Sequence, residues 1–357
     1  MVAHPIARLT ASSFGPLDRV DIEMSPALNI VTGDNGTGKT QLLKLLYACT
    51  AAISTTGNPT MTKSALQVAL AAKLTGVFRP DQLGRLARRT PGRNRAEVKV
   101  KYRGVGDPLH FSFATNSRHE VKTASFPTTP LDDVPVFFPA RELLSIYPGL
   151  AALYDSREID LEETWRDTAV LLGRQALRGQ RGEQANALLA PLLEVMEGRV
   201  TEEGGRFYVT LPNTRGGGDR FEAHLVSEGY RKLAMVIRLV SSGVLLQSGY
   251  LFWDEPEANL NPTTQRAVAR AILTLAAGGT QVFVATHSVF LLRELEMLVD
   301  AGESGLSTED VRHIGLYRDV SDGGVKVTAE STHDPAELSS IAALRAESEQ
   351  SLRYLTA

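Results

Sequence analysis

The sequence predicts a mixed α/β chain organised around a parallel sheet flanked by helices. Three observations carry this. A glycine-rich loop joins an apolar strand to a helical pattern at residues 28–53; an apolar run at 250–253 ends in two adjacent carboxylates; a further apolar run at 281–286 ends at His287. Strands buried on both faces read as continuous apolar runs, and the C-terminal ends of parallel strands are where open α/β sheets meet their ligands.

At the first of these, "LNIVTGDNGTGKT" spells G-x-x-x-x-G-K-T from Gly33 to Thr40, and Leu42, Leu45, Leu46 and Cys49 then recur at helical spacing. Strand, glycine loop and helix are the context a phosphate-binding loop requires. Gly33, Gly36 and Gly38 let the backbone curl so that successive N–H groups face phosphate oxygens, and the helix N-terminus adds partial positive charge. The expected nucleotide contacts are Gly33, Asp34, Asn35, Gly36, Thr37, Gly38, Lys39, Thr40 and Gln41. Lys39 reaches the β- and γ-phosphates in this reading, and the Thr40 hydroxyl holds Mg²⁺.

At the second, "YLFWDEPEANLNP" places Asp254 and Glu255 side by side at a strand end. Two adjacent anions there are costly unless a cation uses them. Asp254 is expected to share Mg²⁺ with Thr40, and Glu255 to polarise the attacking water. Asn261 and Pro262 supply an N-cap and first-turn proline for a helix with Val268, Ala271, Ile272 and Leu275 on its apolar face. After the third run, "QVFVATHS", His287 lies where it can donate to the γ-phosphate or the water. The stretch "LVSEGYRKL" opens another helix, with Ser227 and Gly229 at its free N–H end.

The remaining composition sets bounds. The chain has 357 residues, 43% hydrophobic, with formal net charge −3, enough for one large core or two modest ones and neither a polycation nor a disordered acid. Cys49 is the single cysteine, which excludes an internal disulfide and suits a reducing compartment. No run of eighteen apolar residues occurs and "MVAHPIARLT" lacks an apolar segment, so a cytoplasmic protein without membrane association is expected. No Asn-Lys-x-Asp guanine-reading motif is present.

Taken in order, "GDNGTGKT", "LVSEGYRKL", "YLFWDEPEANLNP" and "VFVATHS" resemble the Walker A, signature, Walker B plus D-loop, and switch-histidine motifs of the ABC-type ATPases. The opening "IARLTASSFGPLDRVDIEMSPALNIVTGDNGTGKT" is similar to the branch holding SMC proteins, RecF and the OLD-type ATPases of bacterial defence, and "WDEPEANLNP" to small stand-alone AAA-labelled members. A transporter subunit more often carries Ser-Gly-Gly-Gln and Thr-Ser-Ala-Leu-Asp. The resemblance covers roughly residues 1–55 and 220–300. It implies a P-loop head of mixed β lobe and parallel sheet, in which two copies sandwich two Mg²⁺–ATP. Ser227, Glu228 and Gly229 of one copy then face the nucleotide held by Lys39 of the other, and Asn259 and Asn261 lie in the D-loop across the dimer interface. Asn261 stands where many relatives have Asp. No glutamine takes the Q-loop place; Arg141 and Glu142 are stand-ins, or a plain strand-to-helix turn.

Between Thr40 and Ser227 the chain shows no sustained heptad run, so a compact α+β and helical insertion over about 56–215 is expected rather than a coiled-coil arm. The head then runs over 1–330, and a helix beginning at Asp334-Pro335 closes the chain over 331–357. Residues 79–103 hold nine Lys or Arg against Asp81 and Glu97, a local charge of 9 − 2 = +7. They are a nucleic-acid contact or a solvated face. The resemblance implies an ATP-hydrolysing switch, a homodimer or higher oligomer. No nuclease constellation follows residue 300, so the expected output is a separately encoded effector in anti-phage defence; the alternative is a RecF-like ATPase that binds DNA itself.

Overall fold

The computed structural model describes residues 2–54, 62–89, 94–213, 216–245, 249–321, 324–339 and 341–356. The chain begins with a hairpin of β1 (Ile6–Phe14) and β2 (Leu17–Glu23), then β3 (Leu28–Gly33), α1 (Lys39–Ile53) and α2 (Lys63–Phe78). A meander of β4 (Arg95–Tyr102), β5 (Leu109–Ala114) and β6 (Lys122–Ser125) leads to β7 (Pro135–Phe138). Helices α3 (Leu150–Asp155), α4 (Glu163–Leu172) and α5 (Gly179–Met196) precede strands β8 (Arg199–Glu203), β9 (Arg206–Pro212) and β10 (Gly218–Glu222). Next come α6 (Glu228–Ser241), β11 (Gly249–Asp254), α7 (Pro262–Ala277), β12 (Thr280–Ala285) and α8 (Val289–Asp300). Strands β13 (Val311–Ser321) and β14 (Gly324–Thr332) and helix α9 (Ala342–Thr356) complete it.

Eleven strands form one sheet in the order β6-β5-β4-β1-β2-β14-β13-β3-β12-β11-β7, and β8–β10 form a separate three-stranded sheet. From β7 to β13 the pairings are parallel; from β6 to β2 they are antiparallel. The two halves follow their sequences. Strands β11 and β12 are buried at every position, whereas β4 alternates exposed and buried residue by residue, as expected of a sheet covered on two faces and on one face respectively.

Period-two alternation divides the core. Leu251, Trp253, Val282 and Val284 face a cluster built with α5–α8, while Tyr250, Phe252, Phe283 and Ala285 face one built with α1, α2 and the antiparallel lobe. Phe252 stacks on Phe283 at 4.9 Å, and Trp253 meets Phe138 edge-on at 5.3 Å. These ring pairs lock adjacent parallel strands in register directly below the tips that carry the acids.

Two expectations need correction. Residues 56–215 do not stand apart as one lobe: β4 pairs with β1, and β7 pairs with β11, so β4–β7 complete both halves of the main sheet, while β8 and β9 belong to the separate three-stranded sheet. Helix α4 is also tied to α1 and α2, by Lys44–Glu162, by Tyr47 Oη to Asp167 (2.5 Å), and by Lys73 to Glu163 and Asp167 (2.7 Å each). The closing helix begins at Ala342, not at Pro335; Asp334 caps a single 3₁₀ turn, Pro335–Glu337, by accepting from the Ala336 N–H. Among the described residues no helix is long and apolar enough to cross a membrane.

Candidate functional site

The C-terminal ends of β3, β11 and β12 bring the predicted residues together. Because α1 starts directly after the loop, its first-turn N–H groups have no intrahelical acceptor. Asp34, Asn35 and Gly36 are exposed at the loop's crest. Gly36 has φ 82°, and a Cβ there would meet nothing within 4 Å, so backbone curvature rather than crowding demands glycine, and the crest lies open to an incoming phosphate. Thr37 Oγ1 donates to the Asp34 carbonyl at 2.8 Å and stiffens the turn. Gln41 lies against the β1–β2 turn at Gly15.

Lys39 is buried, and its Nζ donates to the carbonyls of Gly33 (2.8 Å) and Asp34 (3.3 Å) of its own loop. Burial lowers its pKa, and Glu255, Asp254 and Glu257 oppose that. Thr40 Oγ1 sits 2.9 and 3.0 Å from the two carboxylate oxygens of Asp254, 214 positions away in sequence. A hydroxyl beside a carboxylate at the mouth of a phosphate loop is an all-oxygen donor set, the kind Mg²⁺ accepts together with nucleotide phosphates and water. The residues fit the implied cofactor, and Thr40 and Asp254 would be its protein ligands.

Asp254 is 8% exposed. Its pKa is pushed up to about 6, first by burial, against the Thr40 hydrogen bond and with further upward pressure from Glu255. The sign follows. A carboxyl raised above its unfolded value contributes stability below about pH 4 and loses it as pH rises through about 6. Mg²⁺ held there would need the ionised form, so its binding below pH 6 would expel a proton. Mg²⁺–ATP affinity is therefore expected to fall, by about tenfold per pH unit at the limit, between pH 6 and 5. Titration with a fluorescent ATP analogue checks this: an affinity flat from pH 7.5 to 5 would contradict it.

Glu255 follows in a tight turn, with φ 45°. Its N–H continues the β11–β12 ladder by donating to Ala285 O (2.9 Å), and its carboxylate reaches to 3.5 Å from His287 Nδ1. The proposed base and the proposed switch histidine thus meet, although they are 32 residues apart (287 − 255).

Two buried residues in this region went unassigned in the sequence. Glu257 is 5% exposed; its Oε1 accepts from Thr286 Oγ1 (2.7 Å) and from the His287 N–H (3.0 Å), fixing the loop that presents the histidine. Lys232 is 1% exposed and donates to the carbonyls of Glu255 (2.6 Å) and Ala258 (3.3 Å). The available signal was a third acid, three residues after Asp254, and a lysine among the apolar positions of α6.

Ser227, Glu228, Gly229, Asn259 and Asn261 line one cleft of about 610 Å³. Ser227 is the N-cap residue of α6, yet its side chain makes no capping hydrogen bond. A Cβ on Gly229 would lie 3.0 Å from Asn259 O, so glycine lets the start of α6 approach the turn at Asn259 closely. Among the described residues no hydrogen bond or ion pair links Ser227–Gly229 to residues 33–41 of the same chain. Asn261 Oδ1 accepts from Thr264 N–H (2.9 Å) and Thr264 Oγ1 (3.0 Å), so this side chain is engaged in capping α7. Glu142 turns to Arg231 (2.6 Å) and Ser145, anchoring α6, while Arg141 is exposed.

The basic stretch is dispersed by folding. Arg79, Arg85 and Arg88 pair with Asp160, Asp81 and Asp18. Arg95, Lys99 and Lys101 project from the exposed face of β4. Residues 90–93 of this stretch lie outside the described residues.

Comparison with known proteins follows the same outline. The family described as "AAA domain, putative AbiEii toxin, Type IV TA system" matches residues 138–293. The DNA replication and repair protein RecF of Haemophilus ducreyi is 42% identical over 43 residues, 12% of this chain and 12% of that protein; the RecF of Actinobacillus pleuropneumoniae gives the same figures. The chain therefore spans about 12% of the length of the curated relatives it matches. Among solved structures, the SmcHead bound to the C-winged helix domain of ScpA superposes with TM-score 0.57 at 15% identity, covering 94% of this chain and 100% of that one. The Smc head domain with an extended coiled coil, bound to the C-terminal domain of ScpA derived from Pyrococcus furiosus, gives 0.50 at 14% identity, covering 99% and 100%.

Proposed function

From the premise that this chain is an ABC-type ATPase of the SMC/RecF branch, we propose that it binds Mg²⁺–ATP between two copies, hydrolyses it, and uses closure and opening to control a separately encoded effector in the bacterial cytoplasm. The observation that carries the reading is the Thr40–Asp254 contact beneath an open phosphate loop, with Glu255 and His287 converging beside it.

In this reading the loop N–H groups and Lys39 bind and orient the phosphates. Bound Mg²⁺ would neutralise charge on the β- and γ-phosphates. Glu255 accepts a proton from water as the water oxygen bonds to the γ-phosphorus and the bond to the bridging oxygen of ADP breaks. His287, oriented by Glu257, stabilises charge at the transferred group. Ser227, with its hydroxyl not spent on capping, and Gly229 contact the nucleotide of the second copy. The family description, which names a toxin, supports a setting in defence. Sedimentation of the chain with and without Mg²⁺–ATP, alongside phosphate release, tests the proposal: a chain that stays monomeric and releases no phosphate sinks it.

A RecF-like reading, direct contact with DNA, is favoured by the RecF similarity and by Arg95, Lys99 and Lys101 on one exposed sheet face. Reversing Lys99 and Lys101 to Glu is then expected to lower duplex affinity by about tenfold or more at low salt; equal affinity of both proteins would dismiss β4 as the DNA contact.

A further inference from the structure

We propose that Lys232 is a positioning residue for hydrolysis: from within α6 it holds the backbone of the Glu255–Ala258 turn, so that Glu255 is correctly placed only while the signature helix keeps its own place. The inference rests on the hydrolytic reading above and adds to it the element that links Glu255 to the signature.

Burying an ammonium is expensive, and lysine is among the residues least often fully buried unless paired. Lys232 is 1% exposed on a helix whose neighbouring positions, Leu233, Val236, Ile237 and Val240, are apolar. Were packing alone at stake, an aliphatic side chain would serve at less cost. What the ammonium does instead is donate to two carbonyls of one turn, Glu255 O at 2.6 Å and Ala258 O at 3.3 Å.

That turn needs holding. Glu255 and Asn259 both adopt left-handed backbone, φ 45° and 62°, without being glycine, a conformation that persists only where surroundings over-determine it. Pinning its carbonyls from below is such a constraint. The turn and the residues flanking it, Asp254 to Asn259, carry four side chains with separate tasks. Asp254 lies at the Thr40 hydroxyl, Glu255 faces His287, Glu257 holds the His287 N–H, and Asn259 borders the signature cleft. A displacement of the turn therefore moves every one of them.

The other end of the link is equally fixed. Lys232 lies less than one helical turn after Gly229, where a Cβ would lie 3.0 Å from Asn259 O, tight enough that the neighbouring backbone would have to give. Arg231, next to it, donates to Glu142 at 2.6 Å and to the Val226 carbonyl, bracing α6 against the segment after β7. The acids that face Lys232 electrostatically are Glu257, Glu255, Asp254 and Glu228, and burial, the largest influence, lowers its pKa to about 8. The cation is thus retained in a site that disfavours it, surrounded by the acids of the reaction. Engagement of Ser227–Gly229 by a second copy's nucleotide would reach Glu255 through Lys232 rather than through the phosphate loop of the same chain.

The test uses the full chain with Lys232→Met, which keeps the length of the side chain, and Lys232→Gln, which retains a neutral donor. Both are expected to bind a fluorescent ATP analogue and to show KM within about threefold of the unsubstituted protein, while kcat falls by about tenfold or more in the Met variant and less in the Gln variant. A purely structural role would lower the folded fraction, seen as reduced binding stoichiometry, with no ordering of kcat by donor capacity. A Met variant whose kcat stays within threefold of an active unsubstituted chain overturns the proposal, as does a rise in KM with kcat intact. Should both variants fail to fold, amide exchange on the unsubstituted chain decides. Protection of residues 255–259 and 228–233 must change together on adding Mg²⁺–ATP; independent change overturns the link. If the unsubstituted chain binds Mg²⁺–ATP without turnover, the hydrolytic reading falls, and the exchange measurement still judges the mechanical one.

Discussion

Glu255→Gln is expected to lower ATP turnover by at least about a hundredfold, within the range a lost general base gives, while leaving ATP bound and two copies held together. Gln has nearly the shape of Glu but cannot accept the proton at neutral pH. The Glu255 backbone contacts, to Ala285 O and Lys232 Nζ, do not depend on the carboxylate, so the turn should persist. Removing one of the clustered acids at 254, 255 and 257 also relieves repulsion around bound phosphates. Single-turnover hydrolysis and sedimentation with Mg²⁺–ATP together check this. Wild-type turnover in the variant would remove Glu255 from the mechanism. Slow turnover without a persistent dimer would keep the base and discard the sandwich.

Lys39→Met is expected to weaken nucleotide binding by about a hundredfold, the equivalent of ~2.7 kcal/mol and typical of a lost hydrogen bond to a charged group. Met preserves the buried aliphatic stem, so the comparison isolates the ammonium. Within the loop Nζ donates to the carbonyls of Gly33 and Asp34. Loss of those two bonds should lower the melting temperature of the ligand-free protein only modestly. Binding of a fluorescent analogue and thermal melting separate the two effects; an unchanged Kd would mean the ammonium does not meet the phosphates.

Three strands of the parallel half were legible because each is a short, mainly apolar run with a polar residue at or just past its tip; β13, with Arg312, His313, Arg318 and Asp319 along it, is not such a run. "LNIVTG", "YLFWD" and "QVFVA" became β3, β11 and β12, parallel neighbours in the order β3-β12-β11. Thr40, Asp254, Glu255 and His287 could be grouped for the same reason: strand tips on one edge of a parallel sheet converge. Partnership of the 95–124 strands was not legible. Their alternation predicts half-buried strands but says nothing about which edge they join, and β1 offers that edge from nearly ninety residues upstream, Thr10 opposite Lys99 (99 − 10 = 89). Lys232 escaped notice because a lysine near a helix start reads as solvated until the acids of a distant turn are placed above it. The stretch around Asp334 misled because its cap chemistry is real, yet a 3₁₀ turn uses the same cap as a full helix.

The position of β3 has a consequence for how the protein comes into being. Its sheet neighbours are β12 and β13, so the strand that carries the phosphate loop is made early and has both partners only after β13, which begins at Val311, has left the ribosome. Until then its two edges present unpaired N–H and C=O groups, and α1 lacks much of the surface it covers. Long-range parallel pairing of this kind is slow to form and prone to aggregation while it waits. Nucleotide binding should consequently be among the last properties the nascent chain acquires, and a chain released before β12 is complete should bind no ATP at all.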